Sequence, residues 1–265
     1  MIRRAMTLMR TRPVVALIIA GCVIALARAG AAEAAVIKVL TGFGLKPVLE
    51  EVGPAFEQAT GHKLVIQYGS SASSKRQIEA GDSFDVVILT SPAAMDELVR
   101  HGTVVAASRA TIARSGIGVA VRAGAQKPAI DSVDAFRRAL LHAKSVALDP
   151  EGAIGRHMTT LFDRLNITIE MKTKTRPQLG AERVLASVIL GEAQLGFAVS
   201  SAILATPEAE LVGLLPRELQ DYVVYNAGVG ADSKDSRAAK ALISFLTGDS
   251  SAAVMRAKGL ERMAP

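Results

Sequence analysis

Four serines stand close together in the stretch Gly69-Ser70-Ser71-Ala72-Ser73-Ser74. A serine hydroxyl can attack a substrate, cap a helix or donate a hydrogen bond to a bound molecule. A nucleophilic serine needs a base within hydrogen-bonding reach, and hydrolases commonly hold it in a Gly-x-Ser-x-Gly turn. This stretch lacks the closing glycine, and the four histidines of the chain follow no shared spacing. We therefore predict no catalytic residue, and a serine-dependent hydrolase stays as the alternative from another functional class.

Small or hydroxyl residues occupy several junctions where a strand gives way to a helix. They are Gly42 and Gly44, Ser70 and Ser71, Gly152 to Gly155, and Ser200 with Ser201. A helix N-terminus has unpaired N–H donors and a partial positive charge, and small side chains let a ligand reach them. Several such termini aimed at one point form a site for an anion, and we expect Phe43 to line it.

Each of these junctions also has a purely structural interpretation. Serine is an ordinary helix cap, which suits Ser73 or Ser74, whereas Ser70 and Ser71 lie earlier in the loop and are expected to contact the ligand. The two glycines of the first junction either permit a tight turn or admit a ligand. The stretch Asp149-Pro150-Glu151-Gly152 is a good generic turn, and the Ser200-Ser201 pair has the character of a cap first.

The elements that must position these loops alternate between strand and helix. Strands are predicted over Val36–Thr41, Leu64–Tyr68 and Phe84–Leu89, each followed by a helical pattern. Such units with apolar strands predict an α/β fold with a parallel sheet covered on both faces. Ligands of these sheets bind beyond the carboxyl ends of the strands, which is where the glycine and serine loops fall.

Two long extended segments divide the chain into lobes. Residues 35–115 are predicted to form the first part of lobe 1, residues 116–222 lobe 2, and residues 223–265 the return to lobe 1 with its C-terminal helices. Because the chain crosses twice between α/β lobes, we predict a two-lobed clamshell with a ligand cleft between the lobes.

Residues 1–34 have the pattern of a signal peptide. A basic segment to Arg12 precedes an apolar run from Pro13 to Ala27, and small residues suited to cleavage follow. The run is shorter than the roughly 20 residues that span a bilayer, so we expect export to the periplasm. Cys22 stands in a segment that resembles a lipid-attachment box, but apolar residues continue beyond it, and ordinary cleavage is the preferred interpretation.

The net charge of +6 does not indicate a nucleic-acid partner. The predicted signal peptide holds five arginines and one glutamate, a net charge of +4, which leaves +2 for the rest of the chain. Without tryptophan and with few aromatic residues, the chain lacks both a phosphate-neutralising stripe and stacking platforms. No cysteine pair or His-x-x-x-His spacing indicates a metal, and we predict no cofactor.

Longer motifs resemble those of the molybdate-binding proteins of ABC importers. The segments Gly69-Ser70-Ser71, Arg76-Gln77-Ile78-Glu79-Ala80-Gly81 and Asp85-Val86 are similar to that family's Ala-Ser-Ser, Arg-Gln-Ile-Glu-x-Gly and Ala-Asp-Val. The segments Asp149-Pro150-Glu151 with Gly155-Arg156, and Gly191–Phe197, are similar to its second-lobe motifs. The resemblance covers essentially the whole chain after the leader. It implies a type II periplasmic-binding fold that captures an oxyanion and delivers it to a membrane permease.

The resemblance also implies a set of ligand contacts. Ser70 or Ser71 matches the family's serine of the second loop, and backbone donors fall near Ala153 to Gly155. Two positions depart from the motif, because the family's first-loop serine is Gly44 here and its second-lobe tyrosine is Val199. The candidate ligand-binding residues are therefore Gly42, Phe43, Gly44, Ser70, Ser71, Ala153, Ile154, Gly155 and Val199.

The expected function is that of an exported solute-binding protein of an ABC importer, not an enzyme. Its expected ligand is a small oxyanion such as molybdate or tungstate, and the alternative is a larger organic anion. The departures at Gly44 and Val199 favour the alternative, because each missing hydroxyl donor removes roughly 1.5 to 3 kcal/mol. The expected partners are the anion and an ABC transporter permease, with membrane contact only through the permease or a lipid on Cys22.

Overall fold

The computed structural model describes residues 34–263, so the predicted signal peptide, including Cys22, lies outside the described residues except for Ala34. The strands are β1 (Val36–Thr41), β2 (Lys63–Tyr68), β3 (Val86–Leu89), β4 (Ala110–Arg122), β5 (Val146–Leu148), β6 (Thr175–Pro177), β7 (Leu195–Val199), β8 (Ala209–Leu214), β9 (Tyr222–Val229) and β10 (Glu261–Arg262). The helices are α1 (Lys46–Thr60), α2 (Ser71–Glu79), α3 (Pro92–Arg100), α4 (Val133–His142), α5 (Ala153–Arg164), α6 (Thr168–Lys174), α7 (Ala181–Ile189), α8 (Ser200–Leu204), α9 (Ser236–Thr247) and α10 (Asp249–Ala257).

One continuous sheet runs through the described residues in the order β2-β1-β3-β9-β4-β7-β5-β6, with β8 and β10 beside β4. Strands β1, β2 and β3 pair in parallel at one end, and β5, β6 and β7 pair in parallel at the other. Every residue of β3 and β7 is buried, as expected for parallel strands covered on both faces. The predicted α/β fold class is confirmed.

Strand β4 joins the two ends of the sheet, which we call lobe 1 (β1–β3 with β9) and lobe 2 (β5–β8). From Ala110 to Gly116 it pairs with β9, and from Ile117 onward it pairs with β7 and β8. Strand β9 begins at Tyr222, directly opposite Gly116. The change of partners lies beside the predicted lobe boundaries, and we keep these boundaries as a proposal for where the molecule bends.

The helices cover the sheet with the apolar faces that their sequences predict. In α1, Val48, Leu49, Val52 and Phe56 are all buried, and the helix ends at Gly61, whose φ of 76° is the left-handed conformation that glycine adopts most easily. Lobe 2 has its own core, in which Phe136 of α4 packs edge-to-face on Phe197 with ring centroids 6.2 Å apart. None of the helices within residues 34–263 is long and apolar enough to cross a membrane.

The predicted helix after the serine loop begins too late. The pattern predicts a start at Ser74, whereas α2 begins at Ser71 with Ser70 as its N-cap. The proposed capping role of Ser73 or Ser74 is therefore wrong. The Ser70 hydroxyl accepts a hydrogen bond from the Ser73 N–H at 3.1 Å, which satisfies one of the unpaired donors of the first turn.

Candidate ligand-binding cleft

A cleft of about 900 Å³ lies between the two lobes. Its lobe 1 wall consists of the loops that follow β1, β2 and β3, and its lobe 2 wall consists of the loops before α5 and α7. The N-termini of α2, α3, α5 and α7 lie at these walls, and each of these helices has nine or more residues. Backbone N–H groups from both lobes therefore line one cavity, as an anion site requires.

The serine loop contributes two hydroxyls whose bonds are partly internal. Ser70 caps α2, as described above. The Ser71 hydroxyl accepts a hydrogen bond from the Thr90 N–H at 2.9 Å and lies 3.0 Å from the Thr90 hydroxyl. Since one of these two hydroxyls donates to the other, a single hydroxyl hydrogen of the Ser71–Thr90 pair is left for a ligand. Thr90 lines the cleft and was not predicted from the sequence.

The lobe 2 wall presents backbone donors rather than hydroxyls. Ala153 and Ile154 line the cleft in the first turn of α5, whose N-cap, Gly152, provides no side-chain cap. The carboxylate of Asp149 accepts hydrogen bonds from the N–H groups of Glu151 and Gly180, at 3.0 and 3.1 Å. Asp149 thus ties the loop before α5 to the loop before α7 and holds both helix N-termini in place.

Eight of the nine predicted site residues line the cleft, and Gly155 does not. Gly155 is buried, and a Cβ added there would lie 1.9 Å from the carbonyl oxygen of Asp149. This glycine allows α5 to pack against the preceding turn, so close packing explains its presence. The Ser200-Ser201 pair also differs from the expected cap, because the Ser200 hydroxyl bonds to Ser115 and to the Gly259 carbonyl instead.

Charged side chains at the cleft balance one another. Four are cationic and four are anionic: Lys75, Arg76, Arg156 and Arg183, and Glu97, Asp149, Glu151 and Glu182. Lys75 pairs with Glu97 at 2.9 Å, and Arg76 of lobe 1 pairs with Glu151 of lobe 2 at 3.4 Å across the cleft. Because this balance leaves no net side-chain charge, the attraction for an anion comes chiefly from the helix N-termini.

Tyr225 of β9 is a cleft residue that the sequence pattern did not reveal. A Cβ added at Gly44 would lie 2.1 Å from the Tyr225 hydroxyl oxygen and 2.6 Å from Cγ2 of Val199. The phenol therefore lies where a side chain at position 44 would be. The available signal was the alternation of β9, in which Tyr225 is the one polar side chain among the inward-facing Val223, Ala227 and Val229.

The described residues of the cleft contain no histidine, the commonest base that activates a serine. His62 bonds to the Ala35 N–H and His157 to the Leu219 carbonyl, both away from the cleft. Within residues 34–263 no cluster of histidine, cysteine or carboxylate side chains could hold a metal ion. The cleft has the composition of a binding site for a small anion, formed by the two lobes of an α/β binding protein.

A family model described as bacterial extracellular solute-binding protein matches residues 37–261. The chain belongs to this family. The periplasmic molybdate-binding protein of Azotobacter vinelandii has a similar fold, with a TM-score of 0.74, 22% identity and coverage of 86% of this chain and 99% of that structure. The two-lobed fold class and the predicted resemblance to molybdate-binding proteins are confirmed.

Two relatives differ in what their names say they bind or act on. An aconitate isomerase of a Pseudomonas species is 36% identical over 231 residues, which cover 85% of this chain and 87% of the relative. The molybdate-binding protein of Azotobacter vinelandii is 27% identical over 235 residues, which cover 86% of this chain and 91% of the relative. The relatives of this chain thus include a binding protein and a protein named as an enzyme.

Proposed function

We propose that this chain is an exported receptor that binds a small organic anion with carboxylate groups, and that it delivers the anion to an ABC transporter permease. The observation that carries the proposal is the convergence of helix N-termini from both lobes on a cleft without side-chain hydroxyls at Gly44 and Val199. The family description and the leader pattern support export, and the resemblance to importer components supports the permease as partner.

Energetics favour the organic anion over molybdate. A tetrahedral oxyanion has no carbon skeleton, so its affinity depends on the number of donors around it. Loss of two hydroxyl donors, at roughly 1.5 to 3 kcal/mol each, corresponds to about two to four orders of magnitude in affinity. The Tyr225 phenol near position 44 offsets at most one of them, so a loss of about one to two orders of magnitude remains. Phe43, Ile154 and Val199 instead form apolar parts of the wall, against which a carbon chain packs favourably.

Tricarboxylates are the first ligands to test. Aconitate, the molecule in the name of the 36% identical relative, is an unsaturated tricarboxylate. We expect its carboxylates to bind at the helix N-termini of the two walls and its carbon chain to pack against the apolar residues between them. The cleft volume of about 900 Å³ falls within the range of organic-ligand sites, roughly 300 to 1,000 Å³.

A second candidate function is isomerisation of such an anion, favoured by the identity to the relative named as an aconitate isomerase. An isomerase that shifts a double bond must accept a proton and return one. Lys75, Glu97 and Tyr225 are titratable side chains of the cleft. The hydrogen bond from Lys75 lowers the pKa of Glu97, which makes this carboxylate a weak base.

A thermal-shift panel tests the receptor, and proton NMR of cis- and trans-aconitate with the protein tests the enzyme. A ligand at 100 times its Kd stabilises the folded state by roughly 2.7 kcal/mol, which raises Tm clearly. We expect shifts with aconitate, citrate or tricarballylate and none with sulfate or phosphate. Shifts only with molybdate and tungstate would overturn the carboxylate proposal, and turnover of aconitate would establish the second candidate.

A further inference from the structure

The hydroxyl of Tyr225 is the feature of the cleft that the family motif does not explain. The side chain is 1% exposed, and Tyr225 lines the cleft between Gly44 and Val199. Ser201 lies beside it and is fully buried. Burial raises the pKa of Tyr225, and the nearby Ser201 hydroxyl offsets a smaller part of this rise. Ser201 Oγ nevertheless has no hydrogen-bond partner among the described residues. Buried hydroxyls without partners are rare in folded proteins, and a ligand is one way to satisfy them.

The phenol and a side chain at position 44 exclude each other. A Cβ at position 44 would come within 2.1 Å of Tyr225 Oη, a distance that non-bonded atoms do not adopt. The same Cβ would come within 2.6 Å of Val199 Cγ2. The departure at position 44 is therefore coupled to Tyr225, because glycine at 44 is what leaves room for the phenol.

We propose that Tyr225 is a specificity-determining residue of this cleft, whose phenol donates a hydrogen bond to a carboxylate of the bound organic anion. The inference rests on the proposed function. This role of Tyr225 requires glycine at position 44, since any side chain there would displace the phenol. In the molybdate-binding motif a serine of the first loop supplies a hydroxyl. Here Tyr225 supplies one from β9, the strand that begins where the chain returns to lobe 1.

The phenol is suited to act as a neutral donor. Burial is the main reason that the pKa of Tyr225 is raised, so the phenol keeps its proton across the physiological range. Ser201 is fully enclosed and acts as a positioning residue. With a small rotation its O–H donates to Tyr225 Oη, which leaves the phenol hydrogen directed to the ligand.

The test is calorimetric titration of Tyr225→Phe with cis-aconitate, trans-aconitate and citrate, beside the wild-type protein. Tyr222→Phe is the matched control, because Tyr222 lies on the same strand, is 37% exposed and does not line the cleft. We expect Tyr225→Phe to weaken carboxylate binding about 10- to 100-fold and to change Tm little, since the phenol makes no well-formed hydrogen bond to the described residues before a ligand binds. Ser201→Ala should weaken binding in the wild-type background and have no further effect in Tyr225→Phe.

The outcomes separate this inference from the proposed function. If the wild-type protein binds a tricarboxylate and Tyr225→Phe binds it equally well, the role of Tyr225 is refuted and the receptor proposal stands. An equal loss of affinity in Tyr222→Phe also refutes it. If the wild-type protein binds molybdate and no carboxylate, the proposed function fails and the inference fails with it.

Discussion

At the residue scale, Gly44 and Gly42 offer a matched pair of positions in one loop. A Cβ at Gly44 would overlap Tyr225 Oη, whereas a Cβ at Gly42 would lie 3.8 Å from its nearest neighbour, which is ordinary contact. We expect Gly44→Ala to lower the free energy of unfolding by about 1 to 3 kcal/mol through overpacking. We expect Gly42→Ala to change it little. Urea unfolding of both variants measures the difference.

A double variant tests whether the contact with Tyr225 causes the loss of stability in Gly44→Ala. Removal of the phenol oxygen in Gly44→Ala/Tyr225→Phe relieves the 2.1 Å contact but not the 2.6 Å contact with Val199. The double variant should therefore recover part of the stability that Gly44→Ala loses. Equal stability of the two alanine variants would show that Gly44 is not closely packed against Tyr225.

Tyrosine ionisation gives a pH dependence with a definite sign. Burial, with a smaller contribution from Glu50, raises the pKa of Tyr68 to about 12. Above its ordinary pKa of about 10 the unfolded chain loses the proton while the folded protein keeps it, so the unfolded state binds fewer protons. The free energy of unfolding should then fall as the pH rises from about 10 to about 12. Urea unfolding over this range should give a shallower decline for Tyr68→Phe, and an identical decline would contradict the assignment.

Which residues reach the cleft was partly predictable. Gly42, Phe43 and Ser70 follow strands, and the carboxyl ends of parallel strands meet at one edge of the sheet, so their position follows from the pattern. Tyr225 was not predictable in this way. It lies in the middle of a strand that pairs in antiparallel fashion with β3, and only the close approach of β9 to the first loop brings the phenol to Gly44.

At the element scale, the N-cap of α2 has a matched control in lobe 2. The Ser70 hydroxyl caps α2 at the cleft, and the Ser132 hydroxyl caps α4 by accepting from the Ala135 N–H at 3.2 Å, away from the cleft. Loss of either cap should cost about 0.5 to 2 kcal/mol of stability. Only Ser70→Ala should also weaken ligand binding, because it loosens N–H groups that face the anion. Chemical unfolding and calorimetry measure the two effects, and an affinity loss in Ser132→Ala of the same size would contradict the role of the α2 terminus.

Element boundaries were predictable where a local signal fixes them. Helix α3 begins at Pro92 as the sequence indicates, because Ser91 caps it by accepting from the Ala94 N–H and proline suits the first helical position. Strand β8 escaped prediction, because a half-buried strand against β4 depends on a partner distant in sequence. The α2 start was missed because consecutive serines present several equivalent caps.

At the scale of the whole molecule, Arg76 and Glu151 form an ion pair across the cleft. Both side chains are largely exposed, at 61% and 48%, so the pair contributes roughly 0 to 1 kcal/mol. Because it joins the lobes, we expect Arg76→Ala to weaken ligand binding by up to about fivefold and less at high salt. Lys63→Ala, which breaks a pair with Glu57 within lobe 1, is the control and should leave affinity unchanged. Calorimetry at low and high salt measures the ligand affinity of both variants. An affinity loss in Arg76→Ala that does not depend on salt would contradict a role for the ion pair.

We propose that the two lobes, which β4 and β9 join, close by bending beside Gly116 and Tyr222, where β4 changes partners. The sequence predicted this arrangement because two extended segments of suitable length interrupt the alternation of strands and helices. It did not predict that a residue of β9 reaches the cleft. Strand β9, which connects the lobes, therefore also contributes Val223 and Tyr225 to the cleft wall.

The most direct test of the central claim is isothermal titration of the purified protein with trans-aconitate and, separately, with molybdate. We expect one tricarboxylate to bind per protein with micromolar or tighter affinity, a binding free energy of about −8 kcal/mol or more favourable. We expect molybdate to bind much more weakly. Tight molybdate binding with no response to tricarboxylates would contradict it. That result would mean that the backbone donors and the remaining hydroxyls suffice for a tetrahedral oxyanion at a cleft with Gly44 and Val199.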